Sequence, residues 1–160
     1  MEGLKSKVKA ILEKLNIDNV DNGPIPVKEV ADIFSLPVVS YPHFPDSISG
    51  TIIQNNEINV IGVNANQANV RQRFTIAHEL GHYLLGHDHA KVIDETFDSP
   101  NRNEQEANKF AAELLMPEHF LKKDVENGLV DVPTLATRYL VSEQAMSIRL
   151  LETGLINYIK

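Results

Sequence analysis

The chain has 160 residues, 42% of them hydrophobic, with a formal net charge of −7 and no cysteine. That length suffices for one self-sufficient core, and the acidic balance is the wrong sign for a nucleic-acid surface. The missing thiols exclude cysteine nucleophiles, thiolate metal ligands and a disulfide framework. No run approaches the length of a membrane span, and the charged opening residues lead into no continuous apolar segment, so a soluble cytoplasmic protein without a secretory signal is expected.

Leu4, Val8, Ile11, Leu12 and Leu15 recur at helical spacing and predict a first helix from about Gly3 to Leu15, with Lys5, Lys7 and Lys9 on its solvated side. A loop rich in Asn, Asp and Gly follows from Asp18 to Pro24. Pro26 suits the first turn of a second helix that turns Val27, Val30, Ala31, Ile33 and Phe34 inward and is closed by Pro37. Val38, Val39 and Tyr41 begin a strand that Pro42 and Pro45 end. Two further β-rich runs, Ser49 to Gln54 and Glu57 to Val63, flank Asn55-Asn56, a suitable hairpin turn, and one of this pair is expected to be an exposed edge.

The stretch Phe74 to Gly86 contains His78-Glu79-x-x-His82. Residues four apart on a helix stand on one face, so both imidazoles can close on a single metal ion. At about 100° per residue, Phe74, Ala77, Leu80, Gly81, Leu84 and Leu85 form an apolar stripe, His78 and His82 lie at its border, and Glu79 lies on the open side. Gly81 costs helix propensity, which points to close packing or room for substrate, and Gly86 ends the pattern as a C-cap. His87-Asp88-His89 follows, where charge near a helix C-terminus is favourable without any metal. Val92 to Phe97 reads as a short strand or a flap over the cleft.

A catalytic zinc site commonly takes three protein ligands and leaves one position for water. The next helix, Asn101 to Pro117, has the core stripe Ala107, Phe110, Ala111, Leu114 and Leu115. With Ala107 at zero, Glu104 lies about 60° round and Glu106 about 260°. Glu104 is therefore assigned as the third ligand, with Asn108 on the same flank to fix a histidine ring, and Glu106 is the fallback.

Beyond Met116-Pro117, helical pieces are expected near Phe120 to Val125, from Pro133 to Leu140 and from Ser142 to Thr153, the last capped by Ser142 and stopped by Gly154. The last two look like a helix-turn-helix. The charges of this region, Arg138, Arg149 and Lys160 against Asp131, Glu143 and Glu152, cancel, so packing is favoured over DNA contact.

The run from Arg73 to His82, with Glu104-x-Glu106-Ala107-Asn108-x-Phe110-Ala111-Ala112-x-Leu114-Leu115-Met116-Pro117, resembles the ImmA/IrrE family of metallo-endopeptidases. That family is similar to the gluzincins, whose second helix carries Glu-x-x-x-Asp; Asn108 stands where they have the aspartate. The resemblance implies a zincin-like α+β fold, with a small antiparallel or mixed sheet packed on the His-Glu-x-x-His helix and the second ligand helix. It implies one metallopeptidase domain over residues 1–160, in which residues 117–160 form a helical part packed on the core. It also implies zinc, with manganese or iron fitting similar ligands. His78, His82 and Glu104 would be ligands and Glu79 the base that activates water. The oxyanion donor is open among Tyr41, His43, Tyr83 and His87. Family members often cleave a helix-turn-helix repressor, which makes such a protein the expected partner. The competing expectation is a non-catalytic regulatory or antitoxin-like module that keeps the metal fold and works by binding; the intact Glu79 favours the enzyme.

Overall fold

A computed structural model describes residues 2–54, 56–87 and 101–160. Asn55 of the expected turn, Asp88 and His89 of the histidine cluster, and the expected flap from Val92 to Phe97 lie outside the described residues. The described chain is α+β, with seven α-helices and one mixed three-stranded sheet. In order these are α1 (Glu2–Lys14), α2 (Val27–Ile33), β1 (Val38–Tyr41), β2 (Gly50–Gln54), β3 (Asn59–Asn64), α3 (Asn69–Leu84), α4 (Arg102–Leu115), α5 (Glu118–Glu126), α6 (Val132–Tyr139) and α7 (Glu143–Thr153), followed by a 3₁₀ turn, Leu155–Tyr158. The fold divides into two compact units, Val27–Ala111 and Met1–Pro26 with Ala112–Lys160, with the boundary inside α4.

In the first unit the sheet order is β1-β3-β2, β1 running parallel and β2 antiparallel to β3. Val38, Ile52 and Ile61 share one register position. Period-2 alternation puts Ile52, Ile61 and Val63 in the core and leaves Val39 and Ile53 on the outer face. Of the 48–63 pair β2 is an edge, whereas β3 is central. The helices α2 and α3 pack together, and α3 packs on β2 and β3. Gly50 allows that approach: a Cβ there would meet Thr75 Cγ2 at 2.5 Å and the Gly62 carbonyl at 2.6 Å. The fully buried Asn64 ties down the preceding loop, donating from Nδ2 to the Ile48 carbonyl at 2.9 Å and accepting the Asn66 N–H at 2.9 Å.

The helix α3 starts five residues ahead of Phe74. Its first turn, Asn69 to Gln72, carries no apolar period, and Ala68 before it makes no side-chain cap, so nothing in the local sequence marks the start.

The second unit is helical, and its core includes Val8, Leu12, Leu115, Leu121, Leu135, Tyr139, Met146 and Leu150. Asp131 and Ser142 cap α6 and α7 by accepting the Thr134 and Ala145 N–H groups, and the turn between the helices passes through Leu140 in the left-handed region. The expected helix-turn-helix is thus two capped helices that pack on each other. Their arginines are committed to carboxylates. Arg149 is buried, pairs with Glu113 and donates to the Met116 carbonyl at 2.9 Å. Arg138 makes two bonds to Asp124, at 2.8 and 3.0 Å, and one to Asp21. Tyr139 also donates to Asp124, at 2.6 Å. On α1, Lys5 pairs with Glu118 instead of standing free in solvent. No described helix is long and apolar enough to cross a membrane.

Candidate metal centre

Two helices supply the site, and local sequence fixes each. His78 and His82 are one turn apart on α3, with ring centroids 4.6 Å apart. On α4, Asn101 is the N-cap: its Oδ1 accepts the Glu104 N–H at 2.8 Å, so Glu104 occupies the third position of the first turn. This Asn-x-x-Glu pattern has the form of a capping box, a signal legible in the sequence. The positive end of the α4 dipole favours an anion there.

The helices meet closely at Gly81. A Cβ on that residue would lie 3.0 Å from Phe110 Cδ1, 3.1 Å from Phe110 Cβ and 3.2 Å from the Ala107 carbonyl. Without it, α4 comes near enough for Glu104 to reach both rings: His78 Nε2 lies 3.0 Å from Oε2, and His82 Nε2 lies 2.9 Å from Oε1. The two Nε2 atoms are 3.1 Å apart. Among the described residues, His78, His82 and Glu104 form the one group of three or more such side chains whose ligand atoms all lie within 4.8 Å.

The donor chemistry fits a divalent cation. His78 Nδ1 is 2.8 Å from Asn108 Oδ1, an acceptor, so that nitrogen carries the proton and Nε2 of the neutral ring keeps its lone pair. Two imidazole lone pairs and a carboxylate at such distances repel unless positive charge, a proton or a metal ion, lies among them. Electrostatics reflect this. Burial opposes a charge on His78, but the hydrogen bond and charge of Glu104, with Glu79 and Asn108, outweigh it and raise the ring's pKa. Hydrogen bonds from His78 and His82 hold the Glu104 carboxyl well below the usual carboxylate range.

Glu79 is not on an open side: it is buried, 7% exposed, because α3 is covered by more than one neighbour. Burial raises its pKa, against the lowering effect of His78 and His82. Glu106 lies away from the three donors, bonded to His87 Nε2 and Arg102 Nε, each at 3.0 Å. Of the four oxyanion candidates, Tyr41 is half-exposed and makes edge contacts with His43 and Phe44. Tyr83 is half-buried on α3. His87 is turned onto His82, with the Nδ1 atoms 2.8 Å apart. Composition and spacing do not disclose that placement of His87; its signal is the glycine before it.

The family profile described as the IrrE N-terminal-like domain, a peptidase family, matches residues 35–151. The chain belongs to the ImmA/IrrE family. This membership makes the domain one of a metallopeptidase family, and the His78, His82 and Glu104 group could hold a metal ion. No curated protein matches the chain. Among solved structures, a Mycobacterium tuberculosis transcriptional regulator superposes with a TM-score of 0.68 at 20% identity, a likeness of fold. The alignment covers 94% of this ImmA/IrrE chain and 46% of that protein, so the chain spans less than half of its length.

Proposed function

We propose that this ImmA/IrrE chain is a zinc-dependent endopeptidase with a zincin-like site, and that residues 1–160 act as one metallopeptidase domain whose helical part is residues 117–160. The observation that carries the reading is the convergence of His78 Nε2, His82 Nε2 and the Glu104 carboxylate within hydrogen-bonding distance of one another. These three hold the ion, and Asn108 keeps the proton of His78 on Nδ1. Zinc suits two imidazoles and one carboxylate; manganese and iron accept the same set, and elemental analysis of the purified protein separates them.

A bound divalent ion supplies Lewis acidity, bringing the pKa of a water toward neutrality and polarising a carbonyl oxygen. Glu79 acts as the general base and then as the acid, taking a proton from water and returning it to the leaving amine. Its buried position supports that role, because burial raises its pKa and so strengthens its hold on the proton it takes from water and passes to the amine. The edge strand β2, beside α3, is the surface on which an extended peptide would add as a further strand through main-chain hydrogen bonds.

The substrate we propose is a cytoplasmic helix-turn-helix repressor, cleaved at one site. Family membership and the regulator's similarity of fold support a link to transcription. The commitment of Arg138 and Arg149 to carboxylates favours action on a protein over direct contact with DNA. The test is incubation of zinc-loaded protein with a repressor encoded beside it. Wild type is expected to produce two fragments, and Glu79→Gln to keep zinc and leave the repressor whole. An uncut repressor with metal-loaded wild type overturns the substrate assignment. Equal behaviour of wild type and Glu79→Gln toward every protein tried overturns the enzyme and favours the binding module.

A further inference from the structure

We propose that His87, backed by Glu106, is a positioning residue that holds His82 in the tautomer whose Nε2 lone pair faces the metal centre. This inference rests on the metal reading above. It concerns a histidine outside the three-donor group, on the chain segment that leaves α3.

The backbone brings His87 there. Gly86 adopts φ +73, in the left-handed region where a side chain is disfavoured. The Gly86 N–H then bonds the Tyr83 carbonyl at 3.2 Å and the His87 N–H bonds the His82 carbonyl at 2.9 Å, the paired bonds of a Schellman motif. His87 is thereby folded back onto the residue it must touch. Its side chain is 6% exposed and that of His82 is 1% exposed, so solvent competes little for their nitrogens.

The hydrogen bonds form a chain in which each proton determines the next. Arg102 Nε donates to Glu106 Oε1 at 3.0 Å and steadies the carboxylate. The other oxygen of Glu106 is an acceptor 3.0 Å from His87 Nε2, so that nitrogen carries a proton. In a neutral ring His87 Nδ1 is then an acceptor, and it lies 2.8 Å from His82 Nδ1, which must donate. With its proton on Nδ1, His82 presents a bare Nε2 toward His78 Nε2 and Glu104. Asn108 does the same for His78 with a single amide oxygen. The two ligand rings are thus oriented by different devices: one acceptor from α4 directly, and one relay of an imidazole and a carboxylate. Glu106 is one end of that relay and takes no place among the three donors.

The experiment is zinc titration of the full chain against a chromophoric chelator, with long-range ¹H–¹⁵N spectra of the histidine rings in the zinc-loaded protein. Wild type is expected to bind zinc with His82 protonated at Nδ1. His87→Leu, which cannot accept that proton, is expected to bind zinc about 10–100-fold more weakly. His87→Gln, whose amide can both accept and donate, should restore affinity to within a few-fold. A folded His87→Leu with wild-type affinity, or a zinc-loaded wild type whose His82 Nδ1 carries no proton, overturns the proposal. If His87→Leu does not fold, the wild-type spectrum decides by the tautomer of His87, which zinc on His82 does not force: a proton on His87 Nε2 and none on Nδ1 supports the relay, and a proton on Nδ1 overturns it. A folded wild type that takes up no zinc overturns the metal reading itself, a result distinct from any difference between His87 variants.

Discussion

Gly81→Ala tests whether the close approach of α3 and α4 builds the centre. In an exposed helix this substitution would stabilise by about 1 kcal/mol through helix propensity alone. Here the new methyl would sit 3.0–3.2 Å from Phe110 and Ala107, where ordinary contact begins near 3.4 Å, so the neighbours must yield by a few tenths of an ångström. Phe110 Cβ and the Ala107 carbonyl cannot swing away as a side-chain tip could, and overpacking of this kind costs about 1–3 kcal/mol. The net expectation is a loss of about 1 kcal/mol, or a fall in Tm of about 2–4 °C for a chain of this size. Zinc affinity should fall further, because Glu104 lies one turn from Ala107 on α4 and ligand distances tolerate only about 0.2 Å. We expect binding about tenfold weaker. Calorimetry gives the first quantity and chelator competition the second. A Gly81→Ala protein that is more stable than wild type and binds zinc as tightly would refute the reasoning, since propensity would then have outweighed contact.

Three further outcomes are expected. Zinc at about one hundred times its Kd should stabilise the folded chain by about 2.7 kcal/mol, read as a rise in Tm of about 5–11 °C; His82→Ala should remove the rise, and an equal rise in both proteins would mean that zinc binds elsewhere. In metal-free protein Glu104 has a lowered pKa, so its contribution is complete above its ordinary value of 4.5 and is lost as pH falls. His78 has a raised pKa, so its contribution is complete below 6.5 and is lost as pH rises through its folded value. Urea midpoints should therefore show their largest wild-type excess over Glu104→Gln between about pH 4.5 and 6.5, and a pH-independent excess would contradict both shifts. Arg149→Ala leaves the buried Glu113 without its guanidinium and should destabilise by about 3–5 kcal/mol; a loss below about 1 kcal/mol would show the pair to be solvated.

Much of the local structure is legible in the sequence. Leu4, Val8, Ile11 and Leu12 mark α1 because a helix repeats at short range, and Ser142 and Gly154 bound α7 because caps act on adjacent N–H and carbonyl groups. The pairing of His78 with His82 follows from four-residue spacing on one helix. The choice of Glu104 over Glu106 was a matter of angle about α4, and the structure brings the first to the histidines and the second to His87. Less is visible at α3's own start, where the first turn carries no apolar period and no side-chain cap.

What the order of residues determined by itself is therefore whatever one element decides alone: where most helices run, which side is apolar, and which donors share a turn. Tertiary structure decided the remainder. It put β3 between β1 and β2, enclosed Glu79 where helical angles had left it open, and brought Arg149 to Glu113 and His87 to His82. The reason is physical: backbone periodicity and capping act over a few residues, whereas desolvation and the partner of a polar atom depend on whichever distant segment packs against it.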